Sequence, residues 1–103
     1  MSKLPEEYLK HILDEINYLI VESSDLAEDK FFNNQTLQRA FTRSLEIIGE
    51  AVKNLPLEFK EENNEVEWKL MAGMRDRLIH HYFGVDYEIV WDVVKNEKII
   101  QIK

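Results

Sequence analysis

The chain has no cysteine among its 103 residues, which excludes a disulfide framework, a thiolate metal site and a cysteine nucleophile. It has only three glycines and two prolines, too few for a strand-rich sandwich or a disordered linker. It also lacks an apolar run of about 18 residues and an N-terminal secretory signal. We therefore expect a soluble, cytoplasmic protein that does not bind membranes.

Charge is unbalanced, with 20 Asp+Glu against 13 Lys+Arg and a net charge of −7. This argues against a protein that coats a nucleic-acid backbone with a basic face, but it leaves room for a local basic pocket. Five glutamates, at positions 58, 61, 62, 65 and 67, are interpreted as a solvated face and not as a metal site. The length predicts a single domain over residues 1–103, with no cofactor implied and a core small enough to benefit from self-association.

Four segments carry apolar residues at spacings of three and four, which predicts amphipathic helices. Their expected bounds are about Pro5 to Ser23, Asn33 or Asn34 to Pro56, Asn63 or Asn64 to about Tyr82, and Asp86 past Val94. The asparagines and Asp86 are the expected N-caps, and Gly84 suits a helix C-terminus. Residues 25–35 are predicted to form a connector with a short helical turn. The sequence therefore predicts an all-α antiparallel bundle of about four main helices.

One glycine, Gly49, falls inside the second predicted helix. An interior glycine costs a helix about 1 kcal/mol relative to alanine. A close helix–helix contact at Gly49 is the simplest compensation, so we expect another helix to cross there.

The third predicted helix places Arg75 near the middle of an apolar arc that extends from Trp68 to Tyr82. A guanidinium there must pair with a core glutamate or face a cavity, because an unpaired buried charge is very costly. Asp76 and His80 lie four residues apart, on one helical face. That pair is either a carboxylate that orients a catalytic imidazole or an ordinary surface pair.

Arg75 and His80 are five residues apart, which separates them by about 140° around an ideal helix. They cannot easily converge on one atom from a straight helix. Either the last turn before Gly84 unwinds and redirects His80, or a second copy of the helix supplies the missing group across a two-fold interface. Both solutions remain open on the sequence alone.

The segment from Met74 to Tyr82, MRDRLIHHY, resembles the R-x4-6-H signature of HEPN-domain ribonucleases. It is most similar to the R-x4-H-x-Y form of HepT-like toxins, with Arg75, His80 and Tyr82 at the three motif positions. Flanking segments agree, and the resemblance covers about Pro5 to Trp91. Those segments are Ile47 to Ala51, Trp68, Phe83 to Asp86, and Trp91.

The resemblance implies a HEPN-like helical bundle that dimerises through the motif helix, as a homodimer or a higher even oligomer. It implies a metal-independent endoribonuclease toxin in which Arg75 and His80 are catalytic and the 2′-OH of RNA attacks phosphorus. Asp76 and His81 would be supporting residues. His81 also satisfies the permitted spacing, but only His80 stands two residues before the tyrosine. The substrate would be an RNA such as tRNA or mRNA.

The partner implied by the resemblance is a minimal nucleotidyltransferase antitoxin, MNT. It would neutralise the toxin by transferring AMP to Tyr82, which adds bulk and negative charge to the pocket. From the residues alone, Tyr82 is better explained as a half-buried aromatic at a helix end with a hydrogen-bonded hydroxyl, and only the resemblance favours the modification. Related chains often continue beyond the position of Lys103, so we expect a longer C-terminus.

Two other functions remain as alternatives. The chain could be a non-catalytic subunit that presents a nucleotide or substrate to a nucleotidyltransferase, using Arg75 and Tyr82 without His80 as a base. It could also be a purely structural dimer. Dependence of RNA cleavage on His80 separates the first function from both alternatives.

Overall fold

The computed structural model describes residues 5–80 and 84–96, except for the side chains of His80 and Asn96. The helices in this part of the chain are α1 (Pro5–Ser23), α2 (Glu28–Phe32), α3 (Gln35–Lys53), α4 (Leu57–Glu62), α5 (Trp68–Ala72), α6 (Met74–Leu78) and α7 (Tyr87–Asn96). Two short strands, β1 (Ile79–His80) and β2 (Gly84–Val85), pair antiparallel. The predicted all-α helical fold is confirmed, and the pair of two-residue strands is an addition to it.

The two long helices, α1 and α3, pack against each other and run antiparallel. Tyr18 contacts Phe41 edge-to-face at 6.2 Å between ring centroids, and the Ser44 hydroxyl donates to Glu15 Oε1 at 2.7 Å. Later residues of α1 therefore lie beside earlier residues of α3, as in an antiparallel pair of helices. On the apolar face of α1, Ile12, Ile16 and Leu19 are fully buried as the spacing predicts, whereas Leu13 is 39% exposed. This pair forms the platform on which the shorter helices sit.

The predicted N-caps of two helices are confirmed by side-chain hydrogen bonds. Asn34 Oδ1 accepts from the Leu37 backbone N–H at 3.0 Å at the start of α3. Asp86 Oδ1 accepts from the N–H groups of Glu88 at 3.0 Å and Ile89 at 3.3 Å at the start of α7. These bonds satisfy donors that helical geometry leaves unpaired, so each helix begins where its cap stands.

The core is continuous beneath the short elements. Phe31 of α2 is fully buried between α3 and α7, stacking on Phe41 at 5.3 Å and lying 5.1 Å from the Trp91 ring. At the other end of α7, Lys95 Nζ donates to the Ser23 carbonyl at 2.8 Å, which joins α7 to the end of α1. Within the described ranges, no helix combines the length and the apolar character needed to cross a bilayer.

The second predicted helix ends earlier than expected, and a short helix follows it. α3 stops at Lys53, with Asn54 as its C-cap, whereas the prediction extended it to Pro56. Pro56 instead precedes α4, where its fixed φ suits the start of a helix. The prediction missed α4, because six residues are too few to show an apolar period.

The third predicted helix is wrong in both its start and its continuity. Asn63 is the C-cap of α4 and not an N-cap, and the helical residues after it form α5 and α6, separated at Gly73. The helix then ends at Leu78, whose carbonyl accepts the Asp86 N–H at 2.7 Å. In an uninterrupted helix that carbonyl would bond to the N–H of residue 82. Pairing with Asp86 therefore replaces the last helical turn with β1.

Gly84 also differs from its expected role. It has a φ of +73°, the left-handed conformation that glycine adopts without steric cost. It lies in β2 opposite His80, and not at a helix C-terminus. The glycine correctly indicated a backbone conformation with positive φ, but that conformation occurs in a strand pair and not at a helix end.

The expected close contact at Gly49 is confirmed. A Cβ built there would lie 3.0 Å from the Met71 carbonyl oxygen and 3.7 Å from the Met74 Cβ. Glycine thus lets α5 and α6 approach the backbone of α3. This contact sets the position of α6, and therefore the position of Arg75, which follows Met74.

Replacing Gly49 with valine should destabilise the fold by about 1–3 kcal/mol, the usual cost of overpacking a filled core. The added methyl groups meet backbone atoms of α5, which cannot move aside as a flexible side chain could. Urea unfolding followed by circular dichroism measures the change. Arg39→Val places the same residue at an exposed position of α3, and we expect it to stay within about 0.5 kcal/mol of the parent. Equal losses in both variants would mean that β-branching, and not the contact, is responsible.

Candidate functional site

Arg75 lies on the outer surface of α6. Met74 and Leu78, at the two ends of this short helix, are fully buried and anchor it to the core. Arg75 and Asp76 lie between them and are exposed. The Arg75 side chain is 64% exposed. The prediction that Arg75 lies within an apolar arc is wrong, because the interruption at Gly73 breaks the continuous helix on which that arc was drawn.

Arg75 is nevertheless paired with a glutamate. Its Nε lies 3.7 Å from Oε2 of Glu46 on α3, and the other carboxylate oxygen of Glu46 lies 3.9 Å from Nη1 of Arg43. Glu46 therefore bridges two guanidinium groups, with 24% of its side chain exposed. Since Glu46 faces Nε of Arg75, the edge formed by the two terminal nitrogens of Arg75 is available for a bidentate anion contact.

Arg75 stands at one side of an open groove between α1 and α3, which we name the α1–α3 groove. Its volume is about 300 Å³. It is lined by Tyr8 and His11 of α1, by Arg43, Glu46, Ile47, Glu50, Ala51 and Asn54 of α3 and its C-cap, and by Arg75 of α6. Its lining combines charged and polar side chains with the apolar residues Ile47 and Ala51, the mixture found in sites that orient a ligand by a few hydrogen bonds.

The helical relation expected between Asp76 and His80 is wrong. The helix ends at Leu78, so His80 lies in β1 and does not share a helical face with Asp76. Asp76 itself is exposed. The end of the helix also removes the separation of about 140° that an ideal helix would impose between Arg75 and His80. Of the two solutions considered for that separation, loss of the last turn is the one present in a single chain.

Two predicted site residues, His81 and Tyr82, lie outside the described residues, as does the side chain of His80. The backbone of His80 is placed by its pairing with Gly84. The structure therefore locates Arg75, Asp76 and the His80 backbone on two consecutive elements. The roles of all five residues in the predicted site stay predictions.

Several groove residues were missed from the sequence. His11 is an exposed residue of α1 that lines the groove, and Tyr8 lies one turn before it. On α3, Arg43 stands at spacings of three and seven from Glu46 and Glu50, which places them along one side of the helix. That polar stripe was a usable signal. What it faces depends on the packing of α1, which sequence spacing does not give.

The acidic segment at residues 58–67 is exposed at each of its five glutamates, as a solvated face would be. Across residues 5–80 and 84–96, no three His, Asp or Glu side chains come close enough together to hold a metal ion. Away from the groove, burial raises the pKa of Tyr18, with smaller contributions from the carboxylates of Glu22 and Glu15. That shift accompanies the packing of Tyr18 against Phe41.

Three similar proteins are named as ribonucleases. "Putative RNase TTE0752" of Caldanaerobacter subterraneus is 54% identical over 95 residues, covering 92% of this chain and 85% of the relative. "Putative RNase MJ0127" of Methanocaldococcus jannaschii is 48% identical over 96 residues, covering 93% and 79%. "Probable ribonuclease HepT" of Thermococcus cleftensis is 40% identical over 97 residues, covering 94% and 88%.

No solved structure matches the chain significantly. The family described as ribonuclease HepT-like matches residues 6–103, nearly the whole length. The similarity therefore includes α1, α3, the segment that carries Arg75, and α7. The chain belongs to the ribonuclease HepT-like family.

Proposed function

We propose that this protein is a metal-independent endoribonuclease in which Arg75 and His80 are the catalytic residues. The observation that carries the proposal is the position of Arg75, the arginine of the family motif. It is exposed at the edge of an open groove, with Glu46 beside Nε and its terminal edge available for a phosphate. Belonging to a family described as ribonuclease HepT-like supplies the reaction type.

In the proposed reaction, a phosphate of RNA binds the terminal edge of Arg75. His80 removes the proton from the adjacent 2′-OH, whose oxygen attacks phosphorus and expels the 5′-oxygen. Arg75 stabilises the negative charge that develops on the non-bridging oxygens. A second His80, from a partner copy across a two-fold axis, would protonate the leaving oxygen. The products carry 2′,3′-cyclic phosphate and 5′-hydroxyl ends.

The biological role that fits this reaction is that of a toxin in a toxin–antitoxin pair, restrained by a minimal nucleotidyltransferase. We propose Tyr82 as the acceptor of AMP. Tyr82 is two residues after His80 and seven after Arg75. An adenylyl group there would bring a phosphate and a nucleoside to the RNA-binding residues, and would exclude substrate by charge and volume.

The experiment that tests the activity uses purified protein, mixed cellular RNA that includes tRNA, and excess EDTA. Intact mass first establishes that Tyr82 carries no AMP. Cleavage with cyclic-phosphate ends is the expected result. Absence of cleavage by unmodified protein would favour the second function, a non-catalytic subunit that presents a nucleotide to a nucleotidyltransferase, since the α1–α3 groove and Arg75 serve either purpose.

Glu46 should act as a positioning residue for Arg75, so Glu46→Gln is expected to lower kcat and KM together. Loss of the carboxylate frees Arg75 to leave its working orientation, which lowers kcat by up to about fivefold, the equivalent of an exposed pair worth about 1 kcal/mol. It also removes a negative charge beside the phosphate, which lowers KM. Steady-state kinetics on a single RNA substrate separates the two constants.

Glu61→Gln is the matched control, because it makes the same charge change on exposed α4, outside the groove. We expect both constants to remain those of the parent. If Glu46→Gln raised kcat instead, Glu46 would be an inhibitory counterion for Arg75 and not a positioning residue.

A further inference from the structure

The α1–α3 groove extends along α3 past the pair formed by Arg75 and Glu46. Its lining continues through Glu50 to Asn54, about one and two turns along α3 from Glu46. The proposed chemistry uses only Arg75 from this lining. The groove volume of about 300 Å³ lies at the lower bound of small-ligand sites. The groove therefore has space for one small group, such as a nucleotide, next to the phosphate that is proposed to react.

Two cations stand at the entrance of this space. Arg43 is 70% exposed and Arg75 is 64% exposed, and each lies within 4 Å of the same carboxylate, that of Glu46. The two guanidinium groups are thus held near each other on the surface of a chain whose net charge is −7. Two neighbouring arginines suit two successive phosphates of a nucleic-acid strand.

The walls offer a surface for a base. Tyr8 of α1 is half-buried and packs on the core, so its ring is a fixed aromatic group at the side of the groove. Aromatic rings of this kind are the usual stacking partners of unpaired bases, since every base has a π-face. In the present structure Tyr8 lines the same cavity as both arginines.

Glu50 and Asn54, two exposed residues of the groove lining, present hydrogen-bond acceptors. Asn54 Nδ2 donates to the Glu50 backbone carbonyl at 2.9 Å, so the amide oxygen of Asn54 is the group left to accept. The Glu50 carboxylate is exposed and is also an acceptor. Carboxylates accept from the exocyclic amino group of cytosine, whereas uracil presents a carbonyl at the same position.

From these contacts we propose that the α1–α3 groove binds the nucleotide next to the scissile phosphate of single-stranded RNA. Arg43 contacts the neighbouring phosphate, Tyr8 stacks on the base, and Glu50 with Asn54 selects a base that carries an exocyclic amino group. The proposal rests on the proposed function for the identity of the strand, and it adds a binding subsite to that function.

The test uses a probe that binding can report without cleavage: fluorescein-labelled single-stranded 2′-O-methyl RNA, which has no free 2′-OH to attack phosphorus. Fluorescence anisotropy gives Kd at several salt concentrations. We expect Tyr8→Leu to weaken binding about tenfold and Tyr8→Phe to preserve it, because the ring and not the hydroxyl stacks. Arg43→Ala should reduce the slope of log K against log salt by about 0.7, the value for one phosphate contact on a single strand.

Base selection is tested with oligo-C against oligo-U of the same length. Oligo-C should bind more tightly, and Glu50→Ala should remove the difference. Arg39→Ala, an equal loss of charge on the exposed surface of α3 outside the groove, should leave the Kd close to that of the parent. Equal binding of parent, Tyr8→Leu and Arg43→Ala would overturn the proposal, as would equal binding of oligo-C and oligo-U.

Two further measurements keep this proposal separate from the proposed function. Cleavage of ordinary RNA in EDTA is assayed on the same protein, so cleavage without Tyr8-dependent and Arg43-dependent binding would overturn the subsite alone. Binding with that dependence but without cleavage would overturn the nuclease alone. Sedimentation velocity of the parent and of Tyr8→Leu tests whether a second copy of the chain occupies the groove. If the parent self-associates and Tyr8→Leu does not, the groove is an interface between copies. That result would overturn the subsite.

Discussion

Replacing His80 with alanine is expected to lower kcat for RNA cleavage by about 100- to 10,000-fold, the usual contribution of a positioned general base. The proposed reaction needs an unprotonated imidazole beside the attacking 2′-OH, and alanine offers no substitute. KM should change little, because His80 acts on a proton and contributes little to the binding of phosphate. Initial rates on a defined RNA in EDTA, with circular dichroism to verify folding, measure both.

His81→Ala is the informative comparison, because His81 also has a permitted spacing from Arg75. The H-x-Y spacing selects His80, so His81→Ala is expected to retain most of the activity. A reversed order of the two losses would reassign the base to His81. Equal cleavage by the parent and both variants would indicate a contaminating nuclease and would remove the support for the proposed reaction.

Replacing Arg75 with alanine is expected to lower kcat by about 100- to 1,000-fold, comparable to the loss of one oxyanion donor. In the proposed reaction the guanidinium binds two oxygens through parallel N–H groups, and the negative charge on those oxygens increases in the transition state. Arg75→Lys should recover only part of the rate, because an ammonium lacks the planar fork. Single-turnover kinetics at saturating protein isolates this chemical step from binding.

The control for Arg75 is Arg39→Ala, which removes the same charge from an exposed position of α3 outside the groove. It should keep the parental rate within the small changes that long-range charge produces. If the two arginine variants lost activity equally, the effect would be one of overall charge. Arg75 would then have no specific catalytic role.

The starts of α3 and α7 were predictable from local sequence. Asn34 and Asp86 cap α3 and α7 by local hydrogen bonds to backbone N–H groups two or three residues away, so neighbouring residues decide the outcome. The apolar period of α1 likewise predicted the burial of Ile12, Ile16 and Leu19, but not the exposure of Leu13. Gly49 was informative because an unfavourable residue inside a helix requires a compensating contact, and α5 and α6 supply it.

The segment from Asn63 to Val85 was the least predictable. Its spacing of apolar residues is compatible with one helix, but Gly73 interrupts it and Asp86 takes the carbonyl of Leu78. The second contact joins residues eight apart, so no local rule anticipates it. The placement of Arg75 within an apolar arc failed for this reason, since a helical wheel assumes that the helix continues.

The sequence by itself determined the helical class, the caps of α3 and α7, and the requirement for a close approach at Gly49. Each of these depends on residue identity or on interactions within a few positions along the chain. Tertiary structure decided that Arg75 is exposed beside Glu46, and that Tyr8 and His11 share a groove with them. Those relations join α1, α3 and α6 across 29 positions in sequence, from Glu46 to Arg75, up to 67 positions, from Tyr8 to Arg75. They arise because burial of Met74 and Leu78 fixes α6 against the core, which leaves Arg75 at the groove.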